Sequence, residues 1–149
     1  MANELEVRFL PRRMEGDIQV AQIFNADGSP FDVNVGKKVE PWLTVADVDL
    51  NNGWVKYGPG YDVKFRRRPD GDIELQGRIK SGVAGRLFFL PLTYNPLDTG
   101  PDDMWIFPVA ASGGKVLQVS VQTDRQVIIS GDLTGVDWVS LSGVRFPTD

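Results

Sequence analysis

Apolar and polar residues alternate in short runs along most of this chain, and Gly or Pro breaks the alternation roughly every 8–12 residues. No segment sustains the i, i+3, i+4, i+7 spacing of an amphipathic helix. The pattern predicts an antiparallel all-β domain with very little helix. Strands are expected over 4–10, 17–24, 31–35, 42–50, 61–68, 72–80, 86–90, 104–110, 116–121, 126–130 and 136–146. Gly143 reads as a bulge that switches the inward parity from Val139 and Leu141 to Val144 and Phe146. Leu117, Val119 and Val121 alternate with Gln118, Ser120 and Gln122, and Val127 and Ile129 return across a turn at Thr123-Asp124. That is a core-building pattern.

The register of one hairpin can be read from charge. Taking Pro69-Asp70-Gly71 as a three-residue turn puts Tyr61, Val63 and Phe65 opposite Ile79, Gly77 and Leu75 on one face. On the other face Asp62, Arg66 and Arg68 meet Arg78, Glu74 and Asp72. The basic run Lys64-Phe65-Arg66-Arg67-Arg68 thus reads as a solvated charge ladder rather than a site for phosphate or an anionic polymer, with Lys64 and Arg67 left over.

The sequence has 149 residues, 42% hydrophobic and 24% charged, with 16 Lys+Arg against 20 Asp+Glu and a formal net charge of -4. That describes a folded chain rather than a disordered one. There is no cysteine and no histidine. Disulfides, Cys or His zinc sites, and Ser-His-Asp or Cys-His catalysis are therefore absent, and no enzyme activity is expected. Mild acidity argues against nucleic-acid binding. The start, Met1-Ala2-Asn3-Glu4-Leu5-Glu6, carries acids where a signal peptide carries bases, and the longest apolar run, 87–92, is too short to span a bilayer. Synthesis and retention in a cytoplasm are expected, without membrane insertion.

A composition shift near Gly36-Lys37-Lys38 suggests an N-terminal β segment over 1–38 and a larger domain over 39–149. The first reads as three short strands with Asp27-Gly28-Ser29-Pro30 as a hairpin turn, too small to be stable alone. Ser-Gly pairs at 81, 112, 130 and 142 sit in unlike contexts and define no repeat.

Candidate chemistry is sparse. Asp47-Val48-Asp49-Leu50-Asn51-Asn52-Gly53 begins like a calcium loop, but Asn52 and Gly58 stand where glycine and a bidentate glutamate are required, so Asn51-Asn52-Gly53 reads as a turn. Gly113-Gly114-Lys115 lacks the frame of a phosphate loop and reads as a hairpin turn. Asp98, Asp102 and Asp103 lie in a Pro/Gly-rich loop between Tyr94 and Trp105, an arrangement that suits either a solvated loop or a sugar held by ring stacking and carboxylates, with or without calcium. Nothing sets two acids at the separation glycoside hydrolysis needs. No cofactor is expected beyond that calcium alternative. Trp42, Trp54, Trp105 and Trp138 read as packing anchors.

The order of motifs carries a resemblance. Asn52-Gly53-Trp54, Tyr61, Lys64-Phe65-Arg66, then Asp70-Gly71-Asp72-Ile73-Glu74-Leu75-Gln76-Gly77, then Gly85, Phe89-Leu90-Pro91 and Tyr94-Asn95-Pro96, ending in Trp138-Val139-Ser140-Leu141-Ser142-Gly143-Val144-Arg145-Phe146, resembles the C-terminal domains of tail-fibre, baseplate and minor structural proteins of bacteriophages and prophages, especially those of Gram-positive hosts. The likeness covers roughly residues 42–146 and rests on turn and packing positions. It implies an antiparallel β-sandwich, jelly-roll-like, assembled as a homotrimer on a virion with other virion proteins; residues 1–38, outside the likeness, add a short N-terminal β extension. There it would bind a host-surface saccharide or serve assembly, and residues 1–38 would attach it or help it trimerise. Exposed apolar residues on regular strands are expected at a trimer interface. Loops 55–60 and 94–105 are the receptor-facing expectation, with Tyr94, Trp105, Asp102 and Asp103 as contacts. The rivals are a capsid decoration or head-fibre protein without a receptor, and a carbohydrate-binding module of a cellular enzyme.

Overall fold

The computed structural model describes residues 5–15 and 18–25 as backbone, and residues 39–98, 100–101 and 103–148 with their side chains. The strand expected over 31–35, its turn at Asp27 to Pro30, and Asp102 lie outside the described residues. The chain divides into two compact units, Met1–Gly36 and Lys37–Asp149. In the first, β1 (Leu5–Glu15) and β2 (Ile18–Asn25) form an antiparallel pair whose register shifts between Phe9 and Met14. Pro11, which has no amide hydrogen to give the ladder, falls inside that shift.

The second unit is an all-β sandwich, with eleven strands in three antiparallel sheets among the described residues. Its strands are β3 (Leu43–Thr44), β4 (Val55–Lys56), β5 (Lys64–Arg67), β6 (Ile73–Gln76), β7 (Arg78–Lys80), β8 (Gly85–Phe89), β9 (Met104–Ala110), β10 (Val116–Gln122), β11 (Gln126–Ser130), β12 (Val139–Ser140) and β13 (Arg145–Phe146). One sheet runs β8-β11-β10-β9, a second β13-β6-β5-β3 and a third β12-β7-β4. Among the described residues the helical content is two three-residue 3-10 turns, Asp47–Asp49 and Ser112–Gly114. Ser112–Gly114 forms the β9–β10 connection expected at Gly113-Gly114, with both glycines at positive φ.

The alternation in β10 and β11 does what it predicts: Leu117, Val119, Val121, Val127 and Ile129 are buried, as are Leu87 and Phe88 on β8. They meet Phe65, Ile73, Leu75 and Phe146 of the second sheet and Ile79 and Val139 of the third in one core. Phe65 stacks on Phe88 with centroids 6.3 Å apart, joining the layers. Burial of each such side chain contributes about 1.5–3 kcal/mol.

The β5–β6 hairpin has the register read from charge: Phe65 pairs with Leu75 and Arg66 with Glu74. The ladder differs in detail. Arg66 Nε lies 2.5 Å from Glu74 Oε1, and Arg68 also takes Glu74, at 3.2 Å, rather than Asp72. Asp70 and Asp72 are held by Arg145, and Asp62 pairs with Lys56 at 3.2 Å rather than with Arg78.

Three expected strands are broken. Within 42–50 only Leu43–Thr44 is a strand, because the 3-10 turn Asp47–Asp49 follows. Residues 72–80 divide at Gly77, whose φ of 132° and tight surroundings admit no side chain: a Cβ there would stand 2.6 Å from the Asp62 carbonyl oxygen. Residues 136–146 divide into β12 and β13, which join different sheets, around a turn at Ser142-Gly143 rather than a bulge. The parity switch survives this change, since Val139, Leu141, Val144 and Phe146 are all buried. The short strand β4, Val55–Lys56, has no counterpart among the expected ones.

Desolvation alone would push the Glu74 carboxyl up, but hydrogen bonds from Arg66 and Arg68, with their charges, outweigh it and hold it below the ordinary glutamate value. A lowered folded-state value stabilises above the unfolded pKa, about 4.3, and the stabilisation disappears as pH falls through the folded one. Glu74→Gln should therefore lose about 1 kcal/mol at neutral pH and show a shallower decline of Tm below about pH 4.3. Thermal unfolding across that range checks this, and parallel acid limbs would remove the role assigned to Glu74.

Candidate functional site

The loop singled out by sequence divides into two kinds of residue. Tyr94 is 8% exposed and points into the core, edge-on to Phe65 with centroids 5.1 Å apart. Its hydroxyl donates to Glu40 Oε2 at 2.9 Å. Arg67, left over from the hairpin ladder, covers it with the guanidinium carbon 4.8 Å from the ring centroid, donates to the Thr93 carbonyl at 2.5 Å and faces Glu40 at 3.8 Å. Burial pushes the Tyr94 phenol up, and its bond to Glu40 adds to the shift. The ring is thus enclosed by Phe65 and Arg67.

Trp105 is half-buried at the start of β9, opposite Val121, and its indole N–H donates to the Leu97 carbonyl at 3.0 Å. The Asp103 carbonyl accepts from the Thr123 amide at 3.1 Å, and Asp98 Oδ1 accepts from the Gly100 amide at 2.7 Å. Trp105, Asp98 and Asp103 therefore share a loop secured by its own hydrogen bonds, while Tyr94 faces away from it into the core.

A larger concavity lies elsewhere. Thr44, Val45, Ala46, Val48, Asp49 and Asn51 form one wall, and Phe65, Arg86, Phe89 and Pro91 the other, of a cleft of about 500 Å³. That is the size range of small-ligand sites. The first wall is fixed by its backbone. The Asn51 amide donates to the Leu87 carbonyl at 2.8 Å, and Asn52 and Gly53, with φ of 56° and 77°, make the expected turn closed by Trp54 N–H to the Asn51 carbonyl at 3.2 Å. Asn52 Nδ2 donates to the Arg86 carbonyl at 2.7 Å, tying the turn to β8.

The polar groups are held in place. Arg86 Nε donates to Asn51 Oδ1 at 2.8 Å, and the guanidinium carbon lies 4.4 Å from the Phe89 ring centroid. The ring itself is 50% exposed. Asp49 stands at the rim beside Val48, which is 88% exposed, and no cation is within ion-pair distance of it among the described residues. An exposed ring, an anchored guanidinium, a carboxylate and an amide suit a polyhydroxylated ligand: ring faces stack on C–H faces, and the polar groups take hydroxyls. Among the described residues no three metal-ligating side chains come together.

Sequence reading missed this cleft because three separated segments build it. One signal was available: Leu87, Phe88 and Phe89 are three consecutive apolar residues on one strand, and even with the bulge that buries both Leu87 and Phe88 the third faces outward.

No family model matches the sequence, and no curated protein matches it. The chain is similar in fold to the crystal structure of the receptor binding protein (gp15) of Listeria phage PSA, with a TM-score of 0.63 at 15% identity, over 78% of this chain and 68% of that one. At that identity the similarity is one of fold. No helix among the described residues is long and apolar enough to cross a membrane.

Tyr94→Phe should keep the fold and lose about 1 kcal/mol, the ordinary value of one hydrogen bond. A urea midpoint equal to that of the parent would show that the Tyr94–Glu40 bond contributes nothing.

Proposed function

We propose that this chain is a bacteriophage virion protein, a tail-fibre or baseplate-type receptor-binding domain that recognises a carbohydrate on the host surface. The observation that carries the virion reading is the fold shared with the phage receptor binding protein. The cleft beside Phe89 supplies the carbohydrate chemistry. Phe89 stacks on the sugar ring, while Arg86, Asp49 and Asn51 take hydroxyl or carbonyl groups. The loop carrying Asp98, Asp103 and Trp105 is the second candidate surface. The role is binding, without a catalytic step.

Self-association into a trimer is part of this proposal. On the outer face of the β8-β11-β10-β9 sheet, Ile106 and Val116 are 54% and 69% exposed. Ser120, paired with both Ile106 and Ile128, is buried at the centre of that face. An apolar face of this kind favours a covering partner, and three copies of the chain meeting there would supply it. The N-terminal unit is then available to fasten the protein to the particle, and the virion is its place after synthesis in the host cytoplasm.

The isolated protein should bind cell walls from a susceptible strain within a Gram-positive panel. Phe89→Ala should weaken that binding about tenfold or more at nearly unchanged Tm, because a half-exposed ring contributes little to stability. Loss in Trp105→Ala with Phe89→Ala unaffected would move the contact to the 94–105 loop. Retention by no wall would favour a decoration protein.

Light scattering on a sizing column should give about three times the 16.5 kDa chain mass. Ile106→Lys should shift the protein to monomer. A monomeric parent would sink self-association through this face.

A further inference from the structure

A second, smaller cavity of about 190 Å³ lies where β5, β6, β7 and β12 come together, lined by Lys64, Gln76, Arg78, Ser140 and Ser142 with Asp62 at one side. Lys64 faces Gln76 across the β5–β6 ladder, and Arg78 faces Ser140 across β7–β12, so two cross-strand pairs present their polar ends to the same space. The volume is below that of a site for a whole small ligand and suits one chemical group.

The charges there are unbalanced. Asp62 pairs with Lys56 at 3.2 Å. Glu74 is held by Arg66 and Arg68, and Asp70 and Asp72 by Arg145. Among the described residues no carboxylate is within ion-pair distance of Lys64 or Arg78.

Arg78 is also held in plane. Its guanidinium carbon lies 4.2 Å from the Trp138 ring centroid and 5.0 Å from that of Tyr61. Stacking covers the faces of a guanidinium and leaves its edge N–H groups to donate. Ser140 Oγ accepts the Ser142 amide at 3.3 Å, which leaves its own hydroxyl hydrogen free to donate outward.

We propose that this cavity binds a phosphate group, free or esterified. A guanidinium fork, an ammonium and two hydroxyls offer more donors than a planar carboxylate accepts, and a tetrahedral phosphate presents enough oxygens to use them together. The site stands independently of the cleft beside Phe89.

The test is a titration of the ¹⁵N-labelled full chain with inorganic phosphate and with methyl phosphate, followed by amide shifts, with sodium chloride at equal ionic strength and sodium acetate as controls. Saturable shifts at residues 76–78 and 140–142 are expected with phosphate and absent with chloride or acetate. Lys64→Gln, at a partly exposed position, should weaken binding about tenfold or more, the loss of one charge-assisted hydrogen bond. Phe89→Ala should leave it unchanged. Arg78→Lys keeps the charge and removes the fork, so it too should weaken binding. The tighter of the two phosphate probes identifies the free ion or the ester as the ligand. Shifts that fail to saturate, that chloride reproduces, that acetate matches, or that survive Lys64→Gln would overturn the proposal.

Discussion

The backbone crossing at Gly77 sets the layout of the second unit. The chain passes so close to the Asp62 carbonyl that a Cβ would stand 2.6 Å from it, and the φ of 132° belongs to glycine alone. That proximity lets the Arg78 amide reach the Tyr61 carbonyl at 3.3 Å and the Leu141 amide reach the Gly77 carbonyl at 2.9 Å. A segment that alternation presents as one strand is thereby handed from one sheet to the next: Ile73–Gln76 sits between β13 and β5, and Arg78–Lys80 between β12 and β4. Ile73, Leu75 and Ile79 all stay buried through the transfer. The same crossing brings Lys64 and Arg78, from different sheets, to one cavity.

The β8-β11-β10-β9 sheet has no such crossing and behaves differently. Its strands are five to seven residues long, against two to four in the other two sheets. Pro108 lies on β9, an edge strand, where a missing amide hydrogen costs least. A bulge at Leu87, which faces no residue of β11, lets both Leu87 and Phe88 be buried, with Phe88 inward onto Phe65, and leaves Phe89 outward beside Arg86. Core and cleft are in this sense two faces of one dipeptide: the inner ring fixes the strand against the opposite layer, and the outer ring is held at a defined height above it.

What the sequence disclosed follows the range of the interactions involved. The β5–β6 register was legible because a three-residue turn leaves one pairing that satisfies both the apolar and the charged face, and Phe65 with Leu75 and Arg66 with Glu74 confirm it. The strands β9 and β11 were legible to the residue because alternation, β-branching and adjacent turns agree. Tyr94 was not legible as a core residue. Its loop looks solvated, and the residues that enclose it, Glu40, Phe65 and Arg67, lie 27 to 54 positions upstream and leave no local signature. The cleft escaped for the same reason, since the 44–51 segment meets β8 only through long-range bonds such as Arg86 to Asn51. Strand breaks at Gly77 and at Ser142-Gly143 were visible as glycines, but whether a glycine bends a strand or ends it depends on which sheet the next residues can join.

Charge ties these features together. The chain carries a net -4, yet both concavities contain arginine without a carboxylate partner. The acids near the hairpin are consumed by Lys56, Arg66, Arg67, Arg68 and Arg145, pairs that brace the turn and the segment around Tyr94 rather than face a ligand. Arg78 and Arg86 are instead fixed by neutral partners, aromatic rings and the Asn51 amide, which hold a guanidinium in place without neutralising it. A cation positioned this way loses little conformational freedom when it meets a ligand oxygen and retains its full charge for that contact. An acidic protein can therefore present two local cationic donors, one in a cleft of small-ligand size and one in a cavity with room for a single chemical group.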